Sequence, residues 1–162
     1  MIVIEPAADG DAEALAEISR RAFEHDVNYG APGLCGPPGY DSQDWQREMI
    51  RSGRFFKVLE QDRLVGGFVL SRLPDGSVQL GRAFLEPEYQ NRGIGAELLR
   101  FAEGVFPETE HLVVDTPSWN LRNQHFYEQG GYVKIGEIDV GEGFILFQYE
   151  KRIGRGVSDG RQ

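Results

Sequence analysis

The chain has 162 residues, 40% of them hydrophobic, and a formal net charge of −9, which suits one domain with a single buried core. The acidic balance argues against nucleic acid or anionic membrane as a partner, since both select basic faces. One cysteine, Cys35, allows neither an internal disulfide nor a cysteine-held metal, and no stretch approaches the ~20 apolar residues of a membrane span.

Met1 to Glu5 lack a basic segment leading into an apolar run, so no signal peptide is expected and the cytoplasm is the expected location. A short strand, Ile2 to Ile4, ends at Pro6. Asp9 or Asp11 is placed to cap a helix whose apolar stripe is Ala12, Leu15, Ile18, Ala22 and Phe23. Asn28 to Asp41 holds four glycines and three prolines and reads as a long, functional loop. A second helix follows from Ser42 to Arg51, with Trp45 and Met49 on one face.

Three strands come next, Phe55 to Glu60, Leu64 to Leu70 and Val78 to Leu85, joined at Gln61-Asp62 and Pro74-Asp75-Gly76. Connections this short imply antiparallel neighbours. Ile94, Leu98, Phe101, Ala102 and Val105 then mark an amphipathic helix beginning at Gly93-Ile94-Gly95. Leu112 to Asp115 reads as a buried strand, and Leu121 to Gln129 as a helix closed by Gly130-Gly131. Two strands, Tyr132 to Ile138 and Phe144 to Tyr149, flank a Gly141-Glu142-Gly143 turn. A domain spanning 1–150 thus precedes a polar tail, 151–162. The expected fold is α/β (α+β): a mixed, mostly antiparallel sheet of about seven strands with helices on both faces.

The most informative stretch is Leu85-Glu86-Pro87-Glu88-Tyr89-Gln90-Asn91-Arg92-Gly93-Ile94-Gly95-Ala96, where a strand turns into a helix. Free amides at a helix start carry partial positive charge and form an anion site. Glycine there permits unusual backbone angles and close approach of phosphate, and Arg92 can add a charged hydrogen bond. The spacing lacks the third glycine of a Rossmann turn and the Gly-Lys-Ser/Thr of a P-loop.

Gln90-x-x-Gly93-x-Gly95 after this strand resembles the central motif of the GNAT acetyltransferase superfamily, Gln/Arg-x-x-Gly-x-Gly/Ala. Asn120-Leu121-Arg122-Asn123-Gln124-His125-Phe126-Tyr127, followed by Gly131-Tyr132, is similar to that family's fourth-helix segment, with two departures. Asn123 stands where alanine is frequent, and Gly130 where an apolar residue is usual.

The resemblance implies an N-acetyltransferase that uses acetyl-CoA and no metal. Amides of Gln90, Asn91, Arg92, Gly93, Ile94, Gly95 and Ala96 would cradle the pyrophosphate. The main chain of Phe84 and Leu85 would pair with the pantetheine arm, Asn120 would contact that arm, and Tyr127 would sit near the sulfur. The acceptor would be a small-molecule or peptide amine, and family habit makes a homodimer possible.

Direct transfer requires a neutral amine, a donor for the developing oxyanion and a proton for the leaving thiolate. Tyr127 suits the last role, since a phenol keeps its proton at pH 7. Glu86 and Asp115, at the ends of two strands, are candidate bases, as are Glu24 and His25 where the first helix meets the long loop. Tyr29, Tyr40 and Trp45 are candidate acceptor-pocket residues. Two other readings stay open: a non-catalytic acetyl-CoA-binding relative, and a transferase of longer acyl groups.

Overall fold

The computed structural model describes residues 1–153 apart from 107, 142 and 144. One seven-stranded sheet forms the frame. Its strands are β1 (Ile2–Pro6), β2 (Phe55–Glu60), β3 (Arg63–Arg72), β4 (Val78–Leu85), β5 (His111–Pro117), β6 (Val133–Asp139) and β7 (Ile145–Arg152), in the order β1-β2-β3-β4-β5-β7-β6. The helices are α1 (Ala12–Glu24), α2 (Gln43–Arg51), α3 (Ile94–Gly104) and α4 (Leu121–Gln129). Every neighbouring pair of strands is antiparallel except β4 and β5. Strand β7 continues through Arg152, two residues into the stretch read from sequence as tail. Residues 154–162, and position 144 at the expected start of β7, lie outside the described residues.

Two helical layers cover the sheet, each on its own core. Leu15, Ile18 and Ala22 of α1 and Ile50 of α2 pack with Phe55, Val69 and Phe84. On the other face Ile94, Leu98 and Ala102 of α3 and Tyr127 of α4 pack with Phe68, Leu80, Leu112, Val114 and Tyr149. The apolar stripes legible in sequence are these buried faces.

The local reasons for the helix ends differ from expectation in one place. Neither Asp9 nor Asp11 caps α1 through its side chain. Asp11 instead accepts the Ala8 amide at 2.8 Å and the Lys57 ammonium at 2.9 Å, and Asp9 forks with Arg51. A 3-10 turn, Asp9–Asp11, therefore precedes the helix. Ser42 does cap α2, accepting the Trp45 amide at 3.0 Å. Beyond α1 the chain winds on as a second 3-10 turn, His25–Tyr29, so the long loop starts two residues later than Asn28. Gln61 and Asp62 both adopt positive φ, 50° and 68°, as a tight hairpin demands.

The parallel pair β4–β5 positions the site. Its pairing runs only from Val78–Leu112 to Leu80–Val114. Beyond Leu80, β4 stays with β3 while β5 stays with β7, so the sheet splits.

Candidate active site

The split opens into a cavity of about 310 Å³. Ala83, Phe84 and Leu85 of β4 line one wall; Gln90, Asn91, Gly93, Gly95 and Ala96 form its mouth. Ala22, Phe23 and Asp26 close it from the α1 side, and Arg122, Asn123, Phe126 and Tyr127 from α4.

The mouth presents free main-chain amides. A short 3-10 turn, Pro87–Tyr89, ends β4, and Asn91 (φ 62°) and Gly93 (φ 82°) then swing the main chain into α3. A left-handed residue at the N-cap favours glycine. Because no side chain caps α3 and its first bond runs from the Glu97 amide to the Gly93 carbonyl at 3.4 Å, the amides of Gly93, Ile94, Gly95 and Ala96 have no main-chain acceptor among the described residues. Gly95 also has a packing role that the sequence did not show. A Cβ there would lie 3.0 Å from Cζ of Phe126, so its bareness lets α4 close on α3. Gln90 braces the turn: its Nε2 donates to the Leu85 carbonyl at 3.1 Å, and its Oε1 accepts from Arg122 at 2.9 Å. Arg122 also binds Asp26 at 3.0 Å and stacks on Tyr29 at 3.9 Å, tying α4 to the end of α1. Arg92 is exposed and lies over Tyr89.

Deeper in, Tyr127 is 9% exposed, packed against Phe126, Tyr132 and Tyr149. Its hydroxyl has no hydrogen-bond partner among the described residues. Burial first, and the charge of Asp115 second, push its pKa up to about 12.

Asp115 lies on the opposite sheet face, the one covered by α1 and α2. It takes a hydrogen bond from Nε2 of Gln79 at 3.1 Å. Burial raises its pKa, while the amides of Gln148 and Gln79 pull it back. A half-buried carboxylate with a raised pKa fits a proton acceptor. Glu86 is differently engaged. It is 7% exposed and gripped by Arg21 through two bonds of 2.9 and 2.7 Å, which bolts α1 to the end of β4.

Other candidates fall away from the cavity. Asn120 is 1% exposed and caps α4, accepting the Asn123 amide at 3.0 Å; it is Asn123 that lines the wall. Ile94 turns into the core beneath α3. Tyr40 donates to Glu24 at 2.8 Å, which occupies both groups, and His25 meets Asn28 at 3.3 Å and the Tyr29 ring at 5.7 Å. Tyr29 packs under Arg122 near the mouth, and Trp45 lies under Arg82 at 4.2 Å.

Sequence reasoning missed the wall supplied by Ala22, Phe23 and Asp26, which carries no local signal because it meets the turn only through the fold. Arg122 and Asn123 were findable. They precede Phe126 and Tyr127 by one helical turn and so share their face.

Comparisons with known proteins agree with this geometry. The model of the acetyltransferase (GNAT) family matches residues 12–132. A curated relative, the S-(2-succino)cysteine N-acetyltransferase of Bacillus subtilis, is 26% identical, the match covering 91% of this chain and 93% of that one. An N-acetyltransferase from Staphylococcus aureus superposes with a TM-score of 0.75 at 16% identity, over 94% of this chain and 98% of its own. The PaiA N-acetyltransferase of Thermoplasma acidophilum, solved in complex with coenzyme A, gives 0.72 at 21% identity, over 94% and 99%. A helix start with free amides, a split sheet and a family match across three quarters of the sequence converge: the chain belongs to the GNAT acetyltransferase family and is an acyltransferase that uses acetyl-CoA.

Proposed function

We propose that the chain acetylates a small primary amine by direct attack, with cofactor and acceptor bound together. The observation that carries this reading is the set of uncapped amides at Gly93 to Ala96, opening on a cavity that ends at Tyr127 and at the β4–β5 split. The amides bind the diphosphate, and Gln90 holds them in place through Leu85 and Arg122. The main chain of β4 past Leu80, without β5 beside it, offers an edge for the pantetheine arm.

The two candidate groups work from opposite sides of the opening. Asp115 takes a proton from the acceptor ammonium, directly or through one water, leaving the nitrogen lone pair free. The nitrogen then bonds to the thioester carbon as the C–S bond breaks, and the second nitrogen proton ends on sulfur. A phenol whose pKa is near 12 holds its own proton too tightly to give it up fully to a thiolate of pKa ~8.5. Tyr127 therefore acts as a hydrogen-bond donor that steadies the departing sulfur. Glu86, spent on Arg21, is not given the role of base.

The acceptor to try first is S-(2-succino)cysteine, named by the relative, beside other amino acids and simple amines. The acidic chain has no helix long and apolar enough to cross a membrane among the described residues, and we place it in the cytoplasm. The test is thiol release from acetyl-CoA across that panel. Amine-dependent release is expected. Tight CoA binding with no release for any amine would point instead to a cofactor-binding relative without turnover.

A further inference from the structure

We infer that the acceptor carries a carboxylate, and that Arg82 is the residue that recognises it. The inference rests on the transferase reading above and names its substrate class.

Arg82 sits on an extra residue in β4. Val69 pairs with Gly81 and Gly67 with Phe84, so two steps along β3 match three along β4. Arg82 takes a positive φ of 54° at this bulge. Its guanidinium swings to the face covered by α2 and lies on the Trp45 indole, 4.2 Å from the ring centroid. The group is half-buried, and burial is the sole cause that lowers its pKa; no carboxylate acts against it. Its Nη1 is buried and has no hydrogen-bond partner among the described residues.

Among the described residues no other arginine has a buried nitrogen without a partner. Arg21, Arg51 and Arg122 each have a carboxylate within 3.0 Å. Guanidinium stays protonated whatever its surroundings, so a sheltered one keeps both its charge and its unmet donors. An unpaired charge removed from water is costly, and a carboxylate relieves it through a two-pronged bond. Stacking on Trp45 fixes the plane of the fork before the anion arrives, which lowers the ordering cost of binding.

Its position makes that anion part of the acceptor. Gln79 and Asp115 lie on the same sheet face as Trp45, since Gln79 pairs across β3 with Ser71, in step with Val69 of the α1–α2 core. Arg82 follows Gln79 on β4 beyond the last β4–β5 pair and immediately precedes Ala83, which lines the cavity. The side chains of Arg82 and Asp115 therefore flank the opening from the face opposite α3 and α4. A carboxylate on Arg82 anchors the acceptor while its ammonium meets Asp115. The diphosphate turn follows the same end of β4 but leads into α3 on the opposite face, so the two anion sites do not compete.

The test separates binding from turnover. Calorimetry with succinate, at saturating CoA, should show binding to the unaltered protein, at least tenfold weaker binding to Arg82→Gln, and an intermediate loss in Arg82→Lys. Succinamide, the uncharged isostere, should bind none of them. In the thiol-release assay each carboxylated amine should exceed its methyl ester in kcat/KM by tenfold or more. Arg82→Gln should erase that preference through KM and retain CoA affinity. Equal succinate binding by the unaltered protein and Arg82→Gln, absence of succinate binding, or acids and esters used equally well would each overturn the assignment. Loss of CoA binding in the unaltered protein would instead strike the transferase reading, so the two failures are distinct.

Discussion

Replacing Tyr127 by Phe removes one oxygen and little else, so its effects can be worked out in advance. The side chain is 9% exposed and its hydroxyl has no partner among the described residues. A hydroxyl that faces the cavity without a protein partner adds little to stability, so its loss should leave stability about unchanged. In a domain of this size each kcal/mol moves Tm by roughly 2–4 °C. Activity should move the other way. A hydrogen bond to a charged partner contributes about 1.5–3 kcal/mol, which is roughly a 10- to 150-fold fall in kcat with CoA affinity retained. Alkali supplies an independent check. The hydroxyl's pKa rises from 10.0 to about 12 in the fold. The folded state then binds the proton more tightly than the unfolded chain, so stability is untouched by it below pH 10 and falls as pH climbs to 12, where the buried phenolate is penalised. Two units correspond to on the order of 3 kcal/mol, which the Phe variant should not lose. Denaturant melts of both proteins between pH 9 and 12 measure the difference. An unchanged kcat would remove Tyr127 from the chemistry, and a lowered Tm at pH 7 would show that its hydroxyl is a structural bond.

Asp115→Asn should abolish most turnover yet raise Tm at pH 7. Its folded pKa is raised, so stability falls as pH passes from the ordinary aspartate value to the raised one, and the ionised group destabilises the fold above that window. Stability that falls, or a pH–rate profile that keeps its acidic limb in the variant, would exclude Asp115 as base. Gly93→Ala should weaken CoA binding by roughly 5- to 30-fold, because a φ of 82° costs an L-residue about 1–2 kcal/mol that the bound turn must bear. Gly93→Asn, which tolerates this region better, should recover part of that affinity in the same calorimetric titration. Glu86→Gln should lower stability by about 1 kcal/mol, since water reaches the half-exposed Arg21, while kcat stays within about twofold. A large kcat loss at full stability would restore Glu86 as a catalytic group.

The elements and the uncapped turn into α3 were legible because both are short-range facts. Ala12 to Phe23 shows its buried face through spacing alone, and Gln90 to Gly95 carries its turn chemistry within six residues. The two departures from the family pattern also have physical reasons that only the fold reveals. Asn123 lines the cavity, and a Cβ on Gly130 would sit 3.3 Å from Leu99, so a larger residue would push α4 off α3. What stayed hidden depends on distant partners. Glu86 looked like a base until Arg21, 65 residues earlier, proved to hold it. Asn120 looked like a cofactor contact, but its oxygen is taken by the amide three residues on. Tyr40 looked available until its hydroxyl was found on Glu24.

The bulge at Arg82 is the feature from which the site's two-sidedness follows, and no pattern in Val78 to Leu85 announces it. Strict alternation from Val78 and Leu80, both in the α3–α4 core, would send Arg82 and Phe84 into that core as well. The extra residue reverses the faces after it. Phe84 joins the α1–α2 core, while Ala83 and Leu85 turn toward α3 and α4. A methyl group, rather than a phenyl ring, therefore faces the side on which Tyr127 stands, and the cavity keeps its width there. The same reversal carries the Arg82 guanidinium out of a core where its charge would be prohibitive and sets it on Trp45. One inserted residue thus clears the α3–α4 side of the split and delivers a cation to the other.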